Sequence, residues 1–118
     1  VIPVFTEQML RGAPMTIRGN GEQRRDFTYV GDVVDANVRC MDYPLELEGE
    51  VFNIGNGDNR SINELAEAFG DYPTEYIDAR PGEMRETLCI DTKASDIFGW
   101  NPEKDVVDFI KENYILEK

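Results

Sequence analysis

Histidine is missing from this chain of 118 residues. That removes the side chain most often used as a general base near neutral pH and most often found on metals. No Ser-His-Asp or Cys-His constellation can be assembled. Cysteine is scarce, and Cys40 and Cys89 stand far apart, outside any Cys-x-x-Cys pattern. Both are expected as small buried hydrophobes, Cys40 in a helix and Cys89 in a strand. A bridge between them stays open, but reduced thiols fit an expected cytoplasmic location. Positive charge is short: 12 Lys and Arg face 24 Asp and Glu, a net charge of -12. Such a field repels nucleic acid and anionic lipid, so neither is an expected partner. No apolar run is long enough to cross a bilayer, and no basic-then-apolar segment opens the chain. An initial Met is absent too, and Val1 leads the expectation that this is part of a longer protein.

What is present reads as mixed α/β. Pro3 to Leu10 has helical character, with Pro3 in the first turn and Gly12 as the stop. Residues 15–18 form a short strand, Gly19-Asn20-Gly21 a turn, and residues 26–30 a second strand of alternating aromatic and β-branched residues. Asp32 is the expected N-cap of a helix carrying Val33, Ala36 and Cys40, which Pro44 ends. Residues 51–54 are expected as an apolar strand covered on both faces. Ser61 and Glu64 have capping-box spacing, and Gly70 closes that helix. A strand follows at 74–77 and an extended run at 88–90. Asp91 is the expected cap of a helix ended by Gly99, and Asn101-Pro102 the expected start of the last helix.

The chemistry-bearing residues are few. All eight arginines fall between Arg11 and Arg85, and all four lysines at or after Lys93. Arginine is the cation suited to bidentate phosphate contact. Arg24-Arg25 follow a tight turn at the mouth of a strand. Alternation puts Arg25 and Phe27 on one side and Asp26 and Thr28 on the other, an arrangement that suits a phosphate beside a ring or sugar. The plainer reading, a surface arginine paired with Asp26 or Glu22, stands beside it. In Arg80-Pro81-Gly82-Glu83 the turn can set Arg80 and Glu83 around one small object, guanidinium to an oxyanion and carboxylate to a diol; a local ion pair is the plainer alternative. Neither Gly19-Asn20-Gly21 nor Gly55-Asn56-Gly57 completes a G-x-G-x-x-G fingerprint.

Five segments then fall into a known order. They are Gly19 to Ala36, with Arg25-Asp26-Phe27 and Tyr29-Val30 inside it, Val51-Phe52-Asn53-Ile54-Gly55, Ser61-Ile62-Asn63-Glu64-Leu65, Arg80-Pro81-Gly82-Glu83, and Asp91 to Ala94 with Gly99-Trp100-Asn101-Pro102. Together they resemble the C-terminal half of the NAD(P)-dependent nucleotide-sugar epimerase/dehydratases, the extended short-chain dehydrogenases, with the UDP-glucose 4-epimerase group foremost. The resemblance implies that residues 1–118 are the small C-terminal, nucleotide-sugar-binding domain of an extended Rossmann-type enzyme. It implies that the NAD(P)-binding Rossmann domain and the catalytic Tyr-x-x-x-Lys pair lie elsewhere. Four residues beyond Tyr43, Tyr72 and Tyr76 stand Leu47, Tyr76 and Arg80. Carried over residue by residue, Arg25 and Arg80 would hold the diphosphate, Glu83 the ribose, and Thr16, Ile17 and Arg18 the strand beside the base. Phe27 stands where some members have Tyr. Arg18 stands where the family usually has an aromatic, which loosens the expected preference for uridine. The implied ligand is a nucleotide diphosphate sugar, a UDP-sugar first. The rest of the protein is the expected partner, with a homodimer as another. A 4,6-dehydratase, a UDP-glucuronate decarboxylase-like enzyme, a sugar reductase and a stand-alone binding module remain open alternatives.

Overall fold

A computed structural model describes residues 1–114. In chain order the elements are α1 (Ile2–Leu10), β1 (Met15–Arg18), β2 (Arg24–Arg25), α2 (Val30–Asp42), β3 (Arg60–Ser61), α3 (Ile62–Ala68), β4 (Thr74–Ile77), α4 (Lys93–Phe98) and α5 (Val106–Asn113). This is the mixed α/β class expected. β1 pairs in parallel with β4, Met15 opposite Thr74 and Arg18 opposite Ile77. β2 pairs antiparallel with β3.

The main core forms where α1, α3 and α5 meet β1. Phe5, Met15, Ile17, Leu65, Phe69 and Ile110 are its most deeply buried side chains. Strand alternation divides β1: Met15 and Ile17 enter the core, while Thr16 and Arg18 face the opposite side. A second, smaller cluster gathers Ala36, Ala94 and Trp100 under Phe52, Ile54 and Phe98. The radius of gyration is 17.0 Å. A compact chain of this length would have about 13.5 Å, so the molecule is drawn out around two centres.

Several local expectations hold. Pro3 lies in the first turn of α1. Ser61 and Glu64 form the reciprocal capping box that starts α3. Others need correction. Residues 26–29 are extended but unpaired, so β2 is only Arg24–Arg25 and α2 begins at Val30 with Tyr29 as N-cap. Asp32 therefore lies inside the first turn of α2, and its carboxylate accepts from the backbone N–H groups of Glu103 and Lys104, both at 3.1 Å. The Trp100 indole N–H donates to the Asp32 carbonyl at 2.8 Å. Residues 51–54 and 88–90 are extended without a ladder. Thr92, not Asp91, is the N-cap of α4. α5 starts four residues later than expected, where the Asp105 carboxylate accepts from Val107 N–H. Cys40 is exposed although Ala36, one helical turn earlier on the same face, is buried, because the second cluster covers α2 only as far as Ala36, and Cys89 is half-buried; both are free thiols.

Candidate functional site

β1, the stretch after β2 and the 80–83 turn converge on a cleft of about 340 Å³. Six residues singled out in the sequence line it: Thr16, Arg18, Arg25, Phe27, Arg80 and Glu83. Ile17 does not. It points the other way, 1% exposed, because successive side chains of β1 alternate. Alternation also sorts the next segment: Arg25 and Phe27 line this cleft, while Asp26 and Thr28 line a separate depression beside Cys89. Val4, Phe5 and Ile77 add apolar wall.

Some polar groups of the cleft are firmly supported and others are left loose. Gln8 of α1 clasps Thr16, its carbonyl accepting from Thr16 N–H at 2.9 Å and its amide donating to Thr16 Oγ1 at 2.7 Å. Gln23, 7% exposed, donates to the Arg18 carbonyl at 2.9 Å and so fixes the end of β1. Sequence reasoning passed over both glutamines, because a buried glutamine carries no spacing signal. Arg18 itself is loosely held, with a long 3.4 Å bond to the Asp78 carbonyl. Arg25 donates to the Arg24 carbonyl at 2.8 Å and pairs with Glu83 at 3.3 Å, the two side chains 23% and 31% exposed. Neither Asp26 nor Glu22 is its partner, and Arg80 and Glu83 do not pair with each other. Instead Gly82, at φ 77°, turns the chain so that Glu83 reaches Arg25. Among the described residues no side chain or carbonyl bonds the Arg80 guanidinium. Three guanidiniums against one carboxylate leave the cleft positive, within a chain of net charge -12.

The neighbouring arginine has a different task. Arg24 spends its fork on the scaffold: Nε donates to Asn59 Oδ1 at 2.8 Å, Nη2 to the Asn59 carbonyl at 3.0 Å and Nη1 to Glu64 at 2.9 Å. Arg60 joins Asp58 at 2.8 Å and Asp105 at 3.0 Å, tying β3 to the start of α5. Burial works against ionising Glu64, but the Ser61 amide and Arg24 outweigh it and hold the carboxyl below its ordinary range. A hydrogen bond from Arg60 lowers Asp58 in the same way.

The loop most like a phosphate cradle is already filled. The amides of Asn56 and Gly57 donate to the Asp26 carboxylate at 2.7 and 3.1 Å, and Cys89 N–H adds a third bond at 3.0 Å. A Cβ at Gly55 would collide with Cys89, so only glycine permits this approach. The residues therefore do not fit a dinucleotide cofactor at that loop. Tyr-x-x-x-Lys spacing does occur once, at Tyr114 and Lys118. Lys118 lies outside the described residues, and Tyr114 packs on Phe69 and Phe109 away from the cleft.

Known proteins resemble this chain in sequence and in fold. The NAD dependent epimerase/dehydratase family matches residues 1–55. A putative UDP-glucose 4-epimerase of Methanocaldococcus jannaschii is 36% identical over 94% of this chain and 36% of its own length. UDP-glucuronic acid decarboxylase 5 of Arabidopsis thaliana is 33% identical over 87% of this chain and 31% of its own. Among solved structures, UDP-glucuronic acid 4-epimerase of Bacillus cereus, in complex with UDP-glucuronic acid and NAD, superposes with a TM-score of 0.81. It is 30% identical and covers 94% of this chain and 37% of its own. The chain thus spans about a third of the length of the relatives it matches. Similarity of sequence and of fold runs through nearly all of the chain, and the chain belongs to the NAD-dependent epimerase/dehydratase family.

Proposed function

We propose that residues 1–118 are the nucleotide-sugar-binding domain of a larger NAD(P)-dependent epimerase or dehydratase, with the cleft as the substrate site. One observation carries this reading: Arg18, Arg25, Arg80 and Glu83 line the same cavity. Arg25 and Arg80 take the diphosphate, where a guanidinium fork matches phosphate oxygens. Glu83 accepts hydrogen bonds from ribose hydroxyls. Thr16 and Arg18 border the base, and Arg18 is free to stack on it. Ile17 serves by holding that strand in the core.

The cofactor and the hydride step belong, in this reading, to a Rossmann domain outside the chain. Support comes from α2, where Val30, Val34, Val38 and Met41 run along one side with exposures between 47% and 82%. An apolar stripe of that length is the face of a covered helix. The free cysteines support a reducing, cytoplasmic setting. The Bacillus cereus relative, solved with UDP-glucuronic acid and NAD, supports both ligands for the intact protein. Epimerisation is the reaction best supported; the Arabidopsis thaliana relative favours UDP-glucuronate decarboxylation as the second reading.

Calorimetry with UDP-glucose and UDP-glucuronate on the full-length protein tests the proposal. Binding that Arg25→Gln and Arg80→Gln each abolish or weaken strongly is expected. Absence of binding by either sugar nucleotide, with NAD(P) present, refutes it.

A further inference from the structure

We propose that Glu83 is a specificity-determining residue that rejects bare phosphate and pyrophosphate from the cleft. The inference rests on reading the cleft as a sugar-nucleotide site and concerns which anions that site refuses. The guanidinium of Arg25 is already paired with Glu83 at 3.3 Å. Arg25 cannot swing away from it easily, because its other terminal nitrogen donates to the Arg24 carbonyl at 2.8 Å. An incoming phosphate must therefore displace Glu83 or share Arg25 with it. Either way a carboxylate only 31% exposed is left beside a new negative charge.

Two kinds of ligand meet this carboxylate differently. Inorganic phosphate or pyrophosphate brings only negative oxygens and repels it. A nucleoside diphosphate brings vicinal hydroxyls, whose O–H groups donate to the freed carboxylate and replace the bond lost from Arg25. Discrimination then arises from a repulsive element as much as from an attractive one. The turn is built for the exchange. Gly82 has no atom within 4 Å of where a Cβ would stand, and residues 80–83 are all exposed, so nothing is packed over the turn. Arg80, on the same turn, has no bonded partner among the described residues to hold it back.

Calorimetric titration of the full-length protein with inorganic pyrophosphate and with UDP-glucose is the test, on wild type, Glu83→Gln, Arg25→Gln and the double variant. Glutamine keeps the shape and removes the charge. Pyrophosphate affinity is expected to rise about tenfold, equal to about 1.4 kcal/mol, in Glu83→Gln. UDP-glucose affinity is expected to stay level or fall. In the Arg25→Gln background the gain must vanish, since the effect acts through the pair. Unchanged or weaker pyrophosphate binding in Glu83→Gln overturns the inference, as does a gain that survives without Arg25. If pyrophosphate behaves as expected but UDP-glucose binds no variant and not the wild type, the filter stands and the sugar-nucleotide reading falls.

Discussion

Replacing Asp26 by asparagine tests how the cleft is held open. The Asp26 carboxylate accepts three backbone N–H bonds, from Asn56, Gly57 and Cys89, at 2.7, 3.1 and 3.0 Å. Asparagine has nearly the same shape but only one acceptor atom. If its oxygen takes the place of Oδ2, it keeps Gly57 and Cys89, and its amide then faces the Asn56 N–H, donor against donor. A hydrogen bond to a charged group is worth about 1.5–3 kcal/mol and a neutral one about 1 kcal/mol, so one lost bond and two weakened ones sum to about 2.5–7 kcal/mol. For a domain of this size the lower end of that range is already a melting-temperature fall of about 10 °C. Hydrogen exchange gives the sharper assay. The amides of Asn56, Gly57 and Cys89 should lose protection, while those of Leu65 and Ala66 in α3 keep theirs relative to the global stability. Because Asp26 sits between Arg25 and Phe27, affinity for a sugar nucleotide should fall as well. Unchanged protection at the three amides, together with a loss below about 1 kcal/mol, would refute this account of Asp26.

Adjacent arginines should separate cleanly. Arg25→Gln is expected to weaken UDP-glucose binding by about 10–100-fold with little change in melting temperature, whereas Arg24→Gln, which strips Asn59 and Glu64 of their partner, lowers stability first; thermal melts paired with calorimetry decide it. Ser61→Ala removes the hydroxyl that accepts from Glu64 N–H at 3.1 Å and should cost about 1 kcal/mol in denaturant unfolding. The Glu64 carboxyl, shifted down, makes a stabilising contribution that is present above its ordinary pKa of 4.5 and is lost as pH falls through the lower folded value. Glu64→Gln should therefore flatten the acid limb of stability against pH; since the side chain is 39% exposed, the change is small and shrinks in high salt. Asp32→Ala leaves the amides of Glu103 and Lys104 without their acceptor, and chemical denaturation should show a loss of about 2–4 kcal/mol.

Features decided by neighbours in sequence were legible. A capping box needs only Ser61 and Glu64 three apart, and strand alternation needs only order, so the division of Arg25 and Phe27 from Asp26 and Thr28 could be read directly. Convergence of Arg25 with Arg80 and Glu83 spans 55 residues or more and was legible only through a resemblance. What escaped was choice among partners. Arg24 and Arg25 are chemically identical, and nothing local says that Arg24 is consumed by Asn59 and Glu64 while Arg25 is left to the cleft. Cys40 was misjudged because an amphipathic pattern marks an apolar side without saying what covers it. α2 carries such residues on more than one side, and only Ala36 meets the second cluster.

The strands that do not form and the misjudged aspartates have one cause. Residues 51–54, which run on into the 55–57 loop, and residues 88–90 are apolar enough to read as extended sheet segments, yet they make no ladder, and half-buried backbone amides cannot go unpaired without cost. Asp26 supplies what the ladder does not, collecting amides from both segments onto a single carboxylate. Asp32 does the same for Glu103 and Lys104 ahead of α5. Two short acidic side chains thus replace sheet hydrogen bonding at the junction between the two clusters. Each is reached from loop residues 30 or more positions away in the chain, which no periodicity can reveal. The same economy explains why the Gly55-Asn56-Gly57 loop is not an external anion site: its amides are spent on an internal anion. The positive charge that remains for a ligand is concentrated at Arg18, Arg25 and Arg80, on the main core's side of that junction.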